Sequence, residues 1–157
     1  MSRSLSEWLA YIEVLHDRAW DPGLERVGEV GKRLNVLHPG RQTILVAGTN
    51  GKGSTCEYIE CLGLKQGMTT GKSTSPHLRL FNERIVINGV PARDEEICDA
   101  FTAIEAARRE ISLSYFEFST LAALFLFQRH KVELAILEVG LGGRLDAMNI
   151  VNPDVSV

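Results

Sequence analysis

A short apolar run followed at once by a glycine-rich loop is the feature that most constrains the fold of this chain. Residues 43–47 read Thr-Ile-Leu-Val-Ala, and residues 48–55 read Gly-Thr-Asn-Gly-Lys-Gly-Ser-Thr. The apolar run predicts a buried strand, and residues 54–66 predict a helix that ends before Gly67. A strand, a glycine loop and a helix in this order form a phosphate-binding architecture, because backbone N–H groups converge at the helix N-terminus.

The loop contains the residue types that bind nucleotide phosphates. Glycines let the backbone approach phosphate oxygens closely. Lys52 adds a positive charge, and Ser54 adds a hydroxyl that suits Mg²⁺ or phosphate. The spacing departs from the general GxxxxGK(S/T) pattern, because Val46 stands five residues before Gly51 and Gly53 separates Lys52 from Ser54. An ordinary glycine turn is the alternative.

Strand and helix signals alternate along the chain. Ser4 with Glu7 is a capping-box pattern, and Asn88-Gly89 predicts a hairpin. The alternation indicates an α/β fold with a mainly parallel sheet and helices on both faces. Helices are predicted at 5–16, from Asp21-Pro22 onward, and at 54–66, 94–109 and 116–130, with strands at 43–47, 68–74, 84–87 and 134–137. Residues 153–157 read as the start of a further core strand, so we expect this chain to be part of a longer protein.

Three predicted strands end in residues suited to chemistry: the glycine loop, Ser75 and Glu138. Ligands of parallel sheets bind beyond the carboxyl ends of the strands. A carboxylate that ends a buried strand must be paired, protonated or bound to a cation. Mg²⁺ commonly takes one or two oxygen ligands from protein, so Ser75 and Glu138 are candidate metal ligands. The alternatives are a turn role for Ser75 and a salt bridge from Glu138 to Arg144 or Lys52.

Composition excludes several classes of protein. The net charge of −3 makes nucleic acid an unexpected partner. Three cysteines without a CxxC pair indicate reduced thiols in a cytoplasmic protein. We expect no secretory signal, because the first residues carry Glu7 and lack a basic segment before an apolar run. The most apolar run, residues 121–127, is too short for a membrane span.

Several segments together resemble the folylpolyglutamate synthases and dihydrofolate synthases, a family of Mur-ligase-like ATP-dependent ligases. The resemblance covers nearly the whole chain and is strongest to the bifunctional bacterial members. The segments that carry it, in the same order as in the family, are 46–54, 74–78, 82–85, 115–117 and 137–146. The implied fold is a P-loop-containing, Mur-ligase-like central ATPase domain that is incomplete in this chain.

The resemblance implies roles for three groups of residues. Ser75 and Glu138 would bind Mg²⁺, and Lys52 would be catalytic. The phosphates of ATP would lie against Thr49, Asn50, Gly51, Lys52, Gly53 and Ser54. The pterin substrate would lie against Trp20, Asp21, Pro22, Gly23, Ser114, Tyr115, Phe116, Glu117, Leu145, Asp146 and Ala147. Trp20 and Pro22 depart from the smaller or aliphatic residues of the family.

The implied reaction joins L-glutamate to dihydropteroate, or to a tetrahydrofolate polyglutamate, through an acyl phosphate formed with ATP. Residues 1–157 would form the N-terminal part of the ATP-binding domain. Outside them would lie a histidine metal ligand, a carbamylated lysine and a C-terminal glutamate-ligase domain. Because these parts lie outside residues 1–157, we expect this chain alone to be inactive. We expect the parent enzyme to be monomeric.

Three other functions remain open from the sequence. A Mur-type cell-wall amino-acid ligase would share the nucleotide loop, although residues 74–78 and 115–117 argue against it. A non-catalytic nucleotide-binding module is the second alternative. A P-loop ATPase or kinase is the third, and the spacing after Lys52 counts against it.

Overall fold

A computed structural model describes residues 3–17 and 21–157, and in these ranges a six-stranded sheet carries helices on both faces. The helices are α1 (Leu5–Val14), α2 (Glu25–Leu34), α3 (Lys52–Lys65), α4 (Asp94–Arg108) and α5 (Tyr115–Arg129). The strands are β1 (Gln42–Val46), β2 (Thr70–Ser73), β3 (Ile85–Ile87), β4 (Val90–Pro91), β5 (Leu134–Glu138) and β6 (Val155–Ser156). Short 3₁₀ helices span Phe81–Arg84 and Ala147–Ile150.

The sheet is mainly parallel, as predicted. Its strand order is β4-β3-β2-β5-β1-β6, and β5 pairs in parallel with both β2 and β1. The hairpin of β3 and β4 is antiparallel, and its turn residues Asn88 and Gly89 have φ values of 51° and 78°. Because β2, β5 and β1 are adjacent and parallel, their carboxyl ends lie side by side, with Val46 opposite Glu138.

Side chains that alternate along β5 divide the core between the two faces of the sheet. Ala135 and Leu137 belong to the larger core, which α1, α2, α4 and α5 cover. Leu134 and Ile136 face the other way and pack with Cys56 of α3. α5 is buried along nearly its whole circumference, as predicted, which makes it the central helix of the larger core.

A local sequence signal explains the start of α1 but not the start of α2. At α1, the Glu7 N–H donates to Ser4 Oγ at 3.4 Å and the Ser4 N–H donates to Glu7 Oε2 at 2.7 Å, so the predicted capping box is confirmed. The prediction that α2 starts at Asp21-Pro22 is wrong, because α2 begins at Glu25. The Asp21 carboxylate forms an ion pair with Arg26 in the first turn of α2.

None of the helices in residues 3–17 and 21–157 is long and apolar enough to cross a membrane.

The three cysteines are free thiols that differ in accessibility. Cys56 is fully buried, and burial raises its pKa to about 12, whereas Cys61 is exposed. We expect iodoacetamide at mildly alkaline pH to alkylate Cys61 rapidly and leave Cys56 unmodified, because the thiolate is the nucleophile. Peptide mass spectrometry of the native protein checks this, with urea-unfolded protein as the control. Equal labelling of the two thiols in the native protein would contradict the described packing of α3.

Candidate functional site

The predicted phosphate loop connects β1 to α3. Gly51 is the N-cap of α3 with a left-handed φ of 80°, a conformation that glycine adopts without steric cost. Lys52, Gly53 and Ser54 therefore lie in the first helical turn, two residues earlier than the predicted start. The first intrahelical bond runs from the Thr55 N–H to the Gly51 carbonyl at 2.9 Å, and the preceding amides form the free end of the helix. Such an end favours a bound anion.

A cavity of about 470 Å³ lies beside this loop. The Lys52 ammonium donates to the Gly48 carbonyl at 2.9 Å, which holds the side chain against the loop. The cavity is lined by Ala47, Gly48, Thr49, Lys52, Val139, Gly140, Leu141, Gly142 and Gly143. The other candidate phosphate ligands lie outside this lining: Asn50 and Gly51 are exposed on the loop, and Gly53 and Ser54 line a neighbouring open cleft.

Glu138 and Ser75 are brought together at the sheet edge. Glu138 is 5% exposed, and its Oε2 accepts a hydrogen bond of 2.7 Å from the Ser75 N–H. A Cβ placed on Gly53 would lie 3.8 Å from Glu138 Oε1, so the carboxylate stands between α3 and Ser75. Within the described residues Glu138 has no ion pair, so the alternative salt bridge to Arg144 or Lys52 is wrong.

A second cavity, of about 280 Å³, lies on the other side of the Gly140–Leu141 segment. Its walls come from the segment after α1, from the ends of β2 and β5, and from the first turn of α5. The lining residues are Asp21, Gly23, Ser75, Pro76, Arg84, Ser114, Phe116, Glu117, Gly140, Leu141, Leu145, Asp146 and Ala147. Gly140 and Leu141 line both cavities, so this segment forms a wall that they share.

Most of the residues predicted to contact a pterin are gathered in the second cavity, but two are not. Pro22 is exposed and does not line it. Tyr115 faces a different cleft, where its ring packs edge-on against Phe81 at a centroid distance of 6.1 Å. The structure therefore does not place these two residues in the lining of this cavity, and their contact with a pterin stays a prediction. Trp20 lies outside the described residues.

Asp146 holds the glycine-rich segment in place. Its Oδ2 accepts hydrogen bonds from the N–H groups of Gly140 at 3.0 Å and Leu141 at 2.9 Å, and its Oδ1 accepts one from Met148 at 2.9 Å. Burial raises the pKa of Asp146, against the opposing effect of these hydrogen bonds. These three hydrogen bonds fix the carboxylate against the Gly140–Leu141 segment, so Asp146 shapes the wall between the two cavities.

Two arginines of the site were not singled out from the sequence. Arg84 lines the second cavity, and its Nε–H donates to His77 Nδ1 at 2.8 Å. Among the described residues Arg84 has no carboxylate partner, and burial lowers the pKa of its guanidinium. Arg26 binds two of the lining carboxylates without lining the cavity itself. Arg84 lies in segment 82–85, one of the segments that carry the family resemblance, and its role in the site could have been predicted from that segment.

Position 140 requires glycine, because the Phe116 ring leaves no room there for a side chain. A Cβ at this position would lie 2.7 Å from Phe116 Cζ, so we expect Gly140→Ala to displace the ring and destabilise the protein by about 1–3 kcal/mol. Chemical denaturation measures the change. Gly28→Ala is the control, since its Cβ would meet only Ile150 at 3.9 Å on a helix where alanine is favoured. Equal stability of the two variants would contradict the described Phe116 position.

Known proteins resemble this chain in sequence and in fold, although no protein-family model matches it. The dihydrofolate synthase/folylpolyglutamate synthase of Escherichia coli K12 is 48% identical over 153 residues, which is 98% of this chain and 36% of that protein. The solved structure of E. coli FolC in complex with DHPP and ADP matches with a TM-score of 0.98 and 47% identity, over 99% of this chain and 37% of that chain. The bifunctional Yersinia pestis enzyme complexed with AMPPNP and Mn ion matches with a TM-score of 0.95 and 49% identity, over 99% of this chain and 38% of that chain.

Sheet topology, phosphate loop and solved-structure matches together define a Mur-ligase-like α/β domain. Within that class, sequence and fold match the dihydrofolate synthase/folylpolyglutamate synthase family along 98% of the chain, which confirms the resemblance. The chain spans about a third of the length of these relatives, 36% for the E. coli protein.

Proposed function

We propose that residues 1–157 form the N-terminal part of the ATP-binding domain of a longer ligase. This enzyme joins L-glutamate to dihydropteroate and to tetrahydrofolate polyglutamates, with ATP as the energy source. The remainder of the domain and a C-terminal glutamate-ligase domain belong to the rest of the protein. The observation that carries the proposal is the pair of cavities with a shared wall at Gly140 and Leu141, one beside the phosphate loop and one lined by apolar side chains, carboxylates and Arg84.

The first cavity suits the phosphates of ATP. Thr49 and Lys52 line it. The N-terminus of α3, with its free N–H groups and the positive end of the helix dipole, lies at the loop. We assign ATP phosphate binding to residues 49–54. Lys52 neutralises the negative charge on the phosphates of ATP while the γ-phosphoryl group is transferred. Charge neutralisation of this kind is the main contribution of a protein to phosphoryl transfer.

The second cavity suits a planar ligand with hydrogen-bond donors. Phe116, Leu145 and Ala147 provide apolar surface, while Asp21 and Glu117 provide carboxylates. A pterin ring is flat and carries an amino group and ring N–H groups, so it matches both properties. We assign the acceptor to this cavity, with its carboxylate toward the shared wall and the phosphate loop.

Ser75 and Glu138 are the residues that would hold Mg²⁺. The site fits a hard cation, because Glu138 is a buried carboxylate with no basic partner in the described ranges and with one hydrogen bond, to Ser75. The part of the chain that the structure describes contains no group of three or more His, Cys, Asp or Glu that could hold a metal. The bound ion would supply charge neutralisation at the phosphates.

The proposed reaction has two steps. An acceptor carboxylate oxygen attacks the γ-phosphorus of ATP, the bond to the β-phosphate oxygen breaks, and ADP leaves. The neutral amine of L-glutamate then attacks the carbonyl carbon of the acyl phosphate, the acyl C–O bond to phosphate breaks, and the proton lost from the amine leaves with inorganic phosphate as hydrogen phosphate. The residues described here orient the two reactants across the shared wall and neutralise charge. We further propose a cytoplasmic, monomeric enzyme whose partners are these small molecules, without nucleic acid or membrane.

Thermal stability distinguishes this proposal from a cell-wall ligase. In the presence of ATP analogue and Mg²⁺, dihydropteroate is expected to raise the melting temperature of the protein, because a ligand that binds only the folded state stabilises it. A nucleotide-linked muramyl substrate is expected to have no effect. The reverse pattern would support the Mur-type alternative, and stabilisation by nucleotide alone would support a non-catalytic module.

A further inference from the structure

Arg26 forms ion pairs with two carboxylates that line the second cavity. Its Nη1 lies 2.9 Å from Asp21 Oδ2, and its Nη2 lies 2.9 Å from Glu117 Oε1. Asp21 precedes α2, and Glu117 lies in the first turn of α5, ninety-one residues further along than Arg26. One guanidinium therefore joins two separate walls of the cavity.

The partners of Arg26 are fixed by further contacts. Glu117 is 3% exposed, and its Oε2 accepts the Ser114 N–H at 2.8 Å. His16 Nε2 lies 3.2 Å from Asp21 Oδ2, and the Asp21 carbonyl accepts a bond of 3.3 Å from Arg26 Nη2. Among the described residues, Asp21 Oδ1 makes no hydrogen bond or ion pair.

We propose that Arg26 is a positioning residue for the acceptor cavity, setting the separation of the Asp21 and Glu117 carboxylates. This inference rests on the proposed function, since it names the residue that organises the acceptor site. A guanidinium stays protonated at neutral pH and presents a planar set of donors, so it fixes two carboxylates in one geometry. Arg26 does not line the cavity and acts through its two partners.

Loss of Arg26 is expected to weaken binding of the acceptor and not binding of ATP. Without Arg26, Asp21 loses its guanidinium contact, and the distance between the two carboxylates is no longer set. The phosphate loop lies on a different strand end, and Arg26 makes no contact with it among the described hydrogen bonds and ion pairs. The KM for dihydropteroate should therefore rise, while the KM for ATP should stay the same.

The test compares steady-state kinetics of the intact enzyme with dihydropteroate and ATP varied separately. Arg26→Gln is expected to raise the KM for dihydropteroate by about ten- to a hundredfold and to leave the KM for ATP unchanged. Lys32→Gln is the matched control, because it removes one exposed positive charge from the same helix. Arg26→Lys should recover only part of the loss, since an ammonium lacks the planar fork.

Stability is separated from positioning by a second variant. Arg26→Gln leaves the buried Glu117 without its cation, so Arg26→Gln combined with Glu117→Gln keeps a folded protein in which the bridge is absent. Because Glu117 is itself assigned to the acceptor cavity, Glu117→Gln alone is measured beside it, and positioning through Glu117 predicts that the effects of the two substitutions on the KM for dihydropteroate are less than additive. The inference is overturned if either variant shifts the KM for ATP as much as that for dihydropteroate, or shifts neither beyond Lys32→Gln. A wild-type enzyme that does not bind dihydropteroate would instead overturn the proposed function, and this inference with it.

Discussion

Replacing Lys72 with methionine is expected to lower the free energy of unfolding of the protein by about 3–5 kcal/mol, because it leaves a buried carboxylate without its cation. Lys72 lies in β2 and is 6% exposed, and its ammonium donates hydrogen bonds to Glu57 and Glu60 of α3. Glu60 is 2% exposed; Lys72 binds its Oε2, and its Oε1 has no hydrogen-bond partner among the described residues. Urea denaturation of wild type and variant measures the loss.

A double substitution separates the unpaired charge from the loss of packing. Lys72→Met together with Glu60→Leu removes both charges and should return stability to within about 1–2 kcal/mol of wild type. Arg129→Gln is the control for an exposed ion pair, with Arg129 and Asp99 side chains 50% and 60% exposed, and should cost less than about 1 kcal/mol. A Lys72→Met variant as stable as Arg129→Gln would contradict the buried pair between β2 and α3.

The same pair has a defined pH dependence. Burial alone would lower the pKa of Lys72, but its hydrogen bonds to Glu57 and Glu60 outweigh burial, so the pKa lies above the ordinary value of 10.5. A cation with a raised folded-state pKa contributes stability that is fully present below its unfolded pKa and is lost as the pH rises through the folded value. The difference between wild type and Lys72→Met should therefore persist at neutral pH and shrink only in strong alkali.

Replacing Lys52 with alanine is expected to reduce the turnover of the intact enzyme by about a hundred- to a thousandfold or more, while the fold stays intact. Lys52 is the basic side chain that lines the cavity beside the phosphate loop, and its one described hydrogen bond is to the Gly48 carbonyl. Its loss removes a charge where phosphate is proposed to lie and breaks no buried ion pair. ADP release and a urea melt of the same preparation measure the two effects.

Lys65→Ala is the matched control, because Lys65 is exposed in the last turn of the same helix. It removes the same charge at the end away from the loop, and turnover should be close to that of wild type. ATP-dependent ligation by Lys52→Ala at the rate of Lys65→Ala would contradict the assignment of the loop.

Much of the fold was predictable because local patterns and tertiary packing agree. The continuous apolar run at β5 and the all-round apolar α5 both indicate burial, and both are buried. The start of α2 was placed too early, because Asp21-Pro22 is a good local start signal, whereas the helix begins at Glu25 and Asp21 pairs with Arg26 in its first turn. Cap propensity is a local preference and does not by itself decide where the helix begins.

The site was predictable where parallel strands converge and less so where side-chain direction decides. Ser75 and Glu138 meet because β2 and β5 are neighbours, which follows from a parallel sheet. Tyr115 and Phe116 are adjacent in sequence, but successive helical residues point about 100° apart, so only Phe116 lines the cavity. Arg26 was out of reach because its contact with Glu117 spans ninety-one residues.

The proposed folate-ligase activity is tested by measuring ADP release from ATP by the intact protein, in the presence of Mg²⁺ and L-glutamate. Dihydropteroate and a tetrahydrofolate are compared as acceptors. Acceptor-dependent release is expected with both compounds, matched by formation of a new glutamyl amide. Release with one acceptor would restrict the enzyme to that reaction. Absence of release with either acceptor, in a preparation that still binds ATP, would contradict the folate assignment and leave only the nucleotide site.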